Sequence, residues 1–187
     1  QQILDGDIHS YNAKAFGVDR PTAKTAIYSM IFGAGNPRLG AVVGGGAKEG
    51  AKLKEAYDKA VPAFAELKRN LARAAKRGYL KGIDGRHLYL RSERNALSQL
   101  LQGSGAIICK KWVQLIHKEL KQKYGRDAQI IAWVHDEVQI ACRTLEISHD
   151  VQTITERLAK QSGIAFQTKI PIDSEHSAPS RTWADTH

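Results

Sequence analysis

The chain has 187 residues and a formal net charge of +9, from 28 Lys and Arg against 19 Asp and Glu. That length buries a real core and suggests one domain, or one with an attached lobe. No apolar run approaches the about 20 residues of a membrane span and no secretory signal opens the chain, so no membrane partner is expected and the expected location is the cytoplasm.

Two cysteines, Cys109 and Cys142, sit in apolar surroundings without metal-ligand spacing and read as buried free thiols of a reducing compartment. The positive excess lies mainly between Lys48 and Arg126. A polyanionic partner is expected, nucleic acid before a membrane surface, because no helix pairs a basic face with a Trp/Phe-rich one. A merely basic surface would give the same count.

The chain opens on Gln1 rather than Met, which suggests a piece of something longer. Residues 1–18 show little periodicity and hold a polar patch, Asp5-Gly6-Asp7-Ile8-His9-Ser10, ahead of the first predicted helix. Asp19 is placed to cap that helix, and Pro21 is tolerated in its first turn. Arg20, Lys24, Tyr28 and Phe32 then recur every four residues, a slowly drifting stripe in which Arg20 to Tyr28 spans about 12 Å of helix axis. Two cations followed by two aromatics are unlike a core face. The length suits a triphosphate held by Arg20 and Lys24, with sugar and base against Tyr28. A solvated face with two aromatics tucked at its end has the same spacing.

Gly33-Ala34-Gly35-Asn36-Pro37 is predicted to end the helix. The run Gly44-Gly45-Gly46-Ala47-Lys48 matches neither phosphate-loop pattern, G-x-x-x-x-G-K-[ST] or G-x-G-x-x-G, and reads as a turn. Leu53, Tyr57, Ala60, Phe64, Leu67, Leu71 and Ala74 follow at spacings of three and four, an amphipathic helical pair broken or kinked at Pro62. Its other face carries Lys52, Lys59, Lys68, Arg69, Arg73, Lys76 and Arg77. Two short strands are predicted at 79–83 and 86–91 around the Asp84-Gly85 turn.

A long helix is predicted over 93–123. Arg94, Ser98 and Gln102 line up on it, and Gly103-Ser104-Gly105-Ala106 exposes backbone to close approach, although small residues inside a helix more often mark helix packing. In the stretch 130–142 two apolar, β-branched runs flank His135-Asp136-Glu137, the composition of two buried strands meeting in a tight turn. A carboxylate lodged among Ile, Val and Trp must protonate or find positive charge, which a metal ion would supply. An ordinary polar hairpin turn has that composition too. Ile147, Val151, Ile154 and Leu158 then predict a helix, 166–172 a last strand and 173–187 an irregular tail, with no internal repeat.

Together these residues resemble the C-terminal half of the polymerase domain in family A DNA polymerases, the bacterial polymerase I family, and in particular the replicative enzymes of short-tailed phages. The family's motif B, R-x-x-x-K-x-x-x-[FY]-x-x-x-Y-G, stands here as Arg20, Lys24, Tyr28, Phe32 and Gly33. Its motif C, V-H-D-E, is Val134, His135, Asp136 and Glu137, and its Q-G-x-x-A helix is Gln102-Gly103-Ser104-Gly105-Ala106. Similarity to the phage branch extends through Gly6-Asp7-Ile8-His9-Ser10, Lys81-Gly82-Ile83-Asp84-Gly85-Arg86 and Trp183 to His187, so it covers nearly the whole chain in order.

The resemblance implies an α+β fold, a mainly helical fingers subdomain with small antiparallel hairpins belonging to a palm. Residues 1–18 would follow motif A, 19–78 would form the fingers, and 79–187 the C-terminal palm with the motif C hairpin. His9, Arg20 and Lys24 would grip the triphosphate of an incoming dNTP, with Lys24 also donating a proton to the leaving pyrophosphate. Tyr28 would pack on the deoxyribose, a tyrosine there being tied in the family to tolerance of 3′-deoxy sugars. Asp136 would bind two Mg²⁺ ions, Glu137 would support that site, and His135 would lie near the primer end. Gln102, with Arg94 and the post held by Ser98, would reach the minor groove of primer-template DNA, and Phe32 and His135 would also contact the DNA.

Three departures follow. Phe32 stands where the family usually has tyrosine, and Ser98 where asparagine is common. Motif A, D-x-S-x-x-E-L-R, is absent, and with it the second metal-binding aspartate, because Asp5 and Asp7 match the Gly-Asp-Ile-His segment that comes after it. The expectation is therefore a chain without thumb or exonuclease, inactive alone and prone to aggregate, completed by an N-terminal partner portion carrying motif A. In the infected bacterial host it would sit in the cytoplasm. Asp136 is expected to face the cationic stripe across a gap the size of one nucleoside triphosphate. The rivals are a fragment of a single-subunit RNA polymerase, against which Glu137 and the Gln102 motif argue, and a non-catalytic nucleic-acid-binding module derived from a polymerase.

Overall fold

The computed structural model describes residues 7–186. The readings on Asp5, Gly6 and His187 lie outside these residues. The chain divides into two compact units, the first ending at Gln102 and the second beginning at Gly103. The architecture is α+β, helices with two small antiparallel hairpins.

Among the described residues the first element is α1 (Ile8–Phe16), where the sequence suggested only an irregular polar patch. Its weak periodicity hid it, but its cap is legible: the Asp7 carboxylate accepts the His9 N–H at 3.0 Å. α2 (Arg20–Ile31) starts as predicted, with Asp19 accepting the Thr22 N–H at 2.9 Å and Pro21 in the first turn. Ala23, Ala26, Ile27 and Met30 are buried while Arg20, Lys24 and Tyr28 are exposed, so the stripe and the core face are separate. The breakers at 33–37 end α2, but Pro37 then falls in the first turn of an unanticipated helix, α3 (Asn36–Val42).

α4 (Ala47–Ala60) and α5 (Pro62–Ala75) form the predicted pair broken at Pro62. α3 and α4 approach through glycine: a Cβ on Gly50 would lie 2.0 Å from the Asn36 carbonyl oxygen. Tyr57 joins Ile27, Met30 and Leu39 in a core, with Phe16 and Phe64 edge-on to its ring at 5.7 and 4.9 Å. β1 (Tyr79–Lys81) and β2 (His87–Tyr89) pair as Tyr79 with Tyr89, Leu80 with Leu88 and Lys81 with His87, a shorter hairpin than predicted. Leu80 and Leu88 pack with Leu71, Ala75, Ala96 and Leu97. A 3₁₀ turn at Glu93–Asn95 leads into the long helix α6 (Ala96–Tyr124).

In the second unit β3 (Ala128–Val134) pairs with β4 (Glu137–Cys142), and α7 (Leu145–Ala165) is capped by Thr144. Ile116 and Leu120 of α6, Ala128, and Val151, Ile154 and Leu158 of α7 make the core, with Ile130, Ile140 and Cys142 against it. The Trp112 indole N–H donates to the Thr155 carbonyl at 2.9 Å, tying α6 to α7.

Two expectations fail here. The strands are not buried along their length: a register shift between Ile130 and Ala132 leaves Ile131 67% exposed, and Trp133 and Val134 are 41% and 43% exposed, because only the base of the hairpin meets the helices. Nor is there a last strand at 166–172. The Thr168 N–H instead donates back to Gly163 at 3.1 Å, closing the end of α7, and Pro171 has no N–H to offer a ladder. The tail runs irregularly to a 3₁₀ turn at Trp183–Thr186. Among the described residues no helix is long and apolar enough to cross a membrane.

Candidate functional site

On α2 the side chains of the stripe stand clear of the core, which leaves Lys24 and the Tyr28 ring exposed, while Arg20 is paired. Arg20 donates its Nε–H to Asp7, whose carboxylate also accepts the Ser10 hydroxyl at 2.8 Å and the His9 N–H. The Arg20 bond, then the Ser10 bond, hold the Asp7 carboxyl far below the usual carboxylate range, and Asp7 in turn raises Arg20. Asp7 thus caps α1 and anchors the first cation of α2 with one carboxylate.

Lys24, Tyr28, Phe32 and Gly33 line a cleft of about 630 Å³ together with Arg38. Arg38 was not picked out from the sequence, because α3, which presents it, was read as the continuation of a turn. The His9 ring, on α1, lies 6.1 Å from the Tyr28 ring between centroids, and its Nδ1 is buried without a hydrogen-bond partner. Two elements of the first unit, α2 and α3, thus bring cations to an exposed tyrosine, and α1 sets an imidazole ring beside it, a setting suited to a phosphate-bearing ligand with a flat or ring-shaped part.

Gly33 takes φ +77°, and a Cβ there would lie 2.8 Å from the Arg94 carbonyl oxygen. The end of α2 therefore abuts the turn before α6. Arg94 is exposed in that turn, and Gln102 is exposed on α6. The half-buried Ser98 spends its hydroxyl on the Asn95 carbonyl at 3.2 Å, which narrows what it can offer a ligand.

In the second unit the turn between β3 and β4 is formed by His135 and Asp136. His135 takes φ +55°, as the tight hairpin turn demands, and its carbonyl accepts the Trp133 indole N–H at 2.9 Å. Asp136 is exposed at the tip, so the expectation of a carboxylate lodged among apolar side chains is corrected by the exposure of the hairpin end. Glu137, half-buried, accepts from the Gln139 amide.

Asp136 and Glu137 line an open crevice of about 1320 Å³ with Cys109, Trp112, Arg181 and Trp183. Both cysteines are free and half-buried. Burial, and secondarily the Asp136 charge, push the Cys109 thiol up, so the carboxylate's field reaches α6. Among the described residues no group of three His, Cys, Asp or Glu is gathered to hold a metal ion. What is present is an exposed hard-oxygen carboxylate with a second next to it in sequence. That suits Mg²⁺, which keeps waters and takes one or two protein carboxylates beside ligand phosphates.

A family model described as DNA polymerase family A matches residues 3–185. The chain is 34% identical over 207 residues to the DNA-directed DNA polymerase of Enterobacteria phage T3, and 35% identical over 207 residues to that of Escherichia phage T7. Each alignment covers 100% of this chain and 29% of the relative, so the chain spans under a third of the length of these relatives. Similarity to DNA polymerase I of Aquifex aeolicus is 30% over 166 residues, 84% of this chain and 29% of that one. A solved structure, the POL domain of Pol1 from M. smegmatis in complex with DNA primer-template and dNTP, shares the fold with a TM-score of 0.75 at 23% identity, over 85% of this chain and 32% of that one.

Proposed function

The chain belongs to DNA polymerase family A, and from that premise we propose that it carries the nucleotide-binding helix and one metal-binding aspartate of a template-directed DNA polymerase. The observation that supports this best is the cleft on the first unit where Lys24 and Arg38 flank the exposed Tyr28 ring, with the unpartnered Nδ1 of His9 near it. Arg20, Lys24 and His9 bind the triphosphate of a dNTP, and Tyr28 packs on its sugar. Lys24, a flexible ammonium, protonates the departing pyrophosphate.

Asp136 holds Mg²⁺, with Glu137 supporting it and His135 close to the primer end. When bound, the two ions would make the primer hydroxyl easier to deprotonate and would offset the negative charge that develops on the leaving group. Phe32, Arg94, Ser98 and Gln102 contact the nascent duplex, whose minor-groove acceptors are placed alike in every correct pair. The 187 residues contain no D-x-S-x-x-E-L-R, so the second metal-binding aspartate comes from a portion carrying motif A, joined covalently or not. The enzyme acts in the cytoplasm of a phage-infected cell.

The test is Mg²⁺-dependent primer extension by this chain alone and joined to a motif A portion, with deoxy- and ribonucleotides in parallel. Extension only in the joined form, and with deoxynucleotides, is expected. Robust synthesis by the chain alone would overturn the shared metal site, and preference for ribonucleotides would replace the DNA polymerase reading with an RNA polymerase one.

A further inference from the structure

The hairpin β1–β2 takes no part in the function proposed above. Its register sorts its side chains: Leu80 and Leu88 enter the core, while Tyr79, Lys81, His87 and Tyr89 share the other face. On that face the Tyr79 and His87 rings lie 4.0 Å apart between centroids at 31°, and the Arg77 guanidinium sits 5.6 Å from the Tyr79 centroid. Tyr89 stands edge-on to His87, 6.2 Å away at 87°, and is 72% exposed. Arg77, Tyr79 and His87 form one stacked group with an upright ring beside it.

The stretch that forms this face carries a positive excess. Residues 76–91 supply Lys76, Arg77, Lys81, Arg86 and Arg91 against a single acid, Asp84, and that carboxylate is engaged by Arg86 at 2.6 Å. Exposed rings alone would suit many partners; rings set among cations select a polyanion that also offers flat faces. A duplex hides its base faces in the stack, whereas a single strand presents them, and stacking on aromatic side chains beside basic ones is how unpaired bases are held without regard to sequence.

We propose that the outer face of the β1–β2 hairpin is a stacking platform for unpaired bases of single-stranded DNA, with Tyr89 and His87 supplying the rings and Arg77 and Lys81 the phosphate contacts. Its biological source, the unpaired template strand, rests on the polymerase reading; its chemistry does not.

The experiment titrates the 187-residue chain with a fluorescent oligothymidylate across a range of salt, and photo-crosslinks the same oligonucleotide carrying 5-iododeoxyuridine. Binding with crosslinks in the peptide that contains Tyr89 is expected. Tyr89→Ala should weaken affinity between about fivefold and about a hundredfold at every salt concentration, leaving the salt slope unchanged, and Tyr89→Phe should restore it. Lys81→Gln should reduce the slope by about 0.7. Tyr89 and His87 lie outside the leucine core, so helix content by circular dichroism should stay constant in all variants. No binding, or Tyr89→Ala and His87→Ala within about twofold of the parent with crosslinks elsewhere, would overturn the platform. Primer extension reads the polymerase function separately, so either idea can fail without the other.

Discussion

At the scale of single residues, Asp136 is coupled to an unreactive neighbour that can report on it. The Cys109 thiol is pushed up first by burial and then by the Asp136 charge. Neutralising that carboxylate removes the second cause only, so Asp136→Asn should lower the Cys109 thiol and speed its alkylation by iodoacetamide at mildly alkaline pH by about twofold or more. Mg²⁺ held at Asp136 should act in the same direction on the parent chain and have no effect on the variant. An alkylation rate unchanged by Asp136→Asn would show that the Asp136 charge does not reach the thiol. Asp7 offers a second residue-scale case: sequence placed it in a polar patch that matches the family's Gly-Asp-Ile-His segment, while the fold uses it to cap α1 and to hold Arg20. Its short-range role was legible from Asp at a helix start; its bond to a residue on the next helix was not, because nothing in the intervening positions specifies how α1 meets α2.

Among the elements, α6 and α7 are joined by polar contacts as well as by their core. Asp150 accepts Lys123 Nζ at 2.5 Å and the Tyr124 hydroxyl, and these bonds, Lys123 first, hold its carboxyl below the ordinary range. A carboxyl depressed in the folded state contributes stability that is present above its unfolded value of about 3.9 and is lost as pH falls through the lower folded value. Asp150→Asn should therefore lower the melting temperature at neutral pH, and the gap between variant and parent should close as the pH drops below about 4. A gap that is constant with pH would show that the charge is not what matters. Sequence read α2, α6 and α7 well, since each combines a long periodic face with a cap or breaker at its ends. It missed α1 and α3, of nine and seven residues, which are too short to show a period. The strand expected at 166–172 failed for the opposite reason: its composition favoured a strand, but its backbone groups close α7 instead.

For the whole molecule, three collinear motifs were enough to identify the family, because they fix residue types at helical and hairpin spacings over nearly the entire chain. What they could not supply is the set of neighbours contributed by elements outside the motifs. Arg38 reaches the Lys24–Tyr28 cleft from α3, and the aromatic face of β1–β2 exists only once Tyr79 and Tyr89 are paired across strands. The relatives extend far beyond these residues, the chain covering 29% of the phage enzymes, so the proposed catalysis is tested with a portion carrying motif A joined to the chain. The most direct measurement is single-turnover addition of one dNMP to a primer in Mg²⁺ by the joined enzyme, comparing the parent with Asp136→Ala. Addition should fall by at least about a hundredfold while primer-template binding persists; an undiminished rate would contradict the assignment of Asp136 as a metal-binding aspartate of a DNA polymerase.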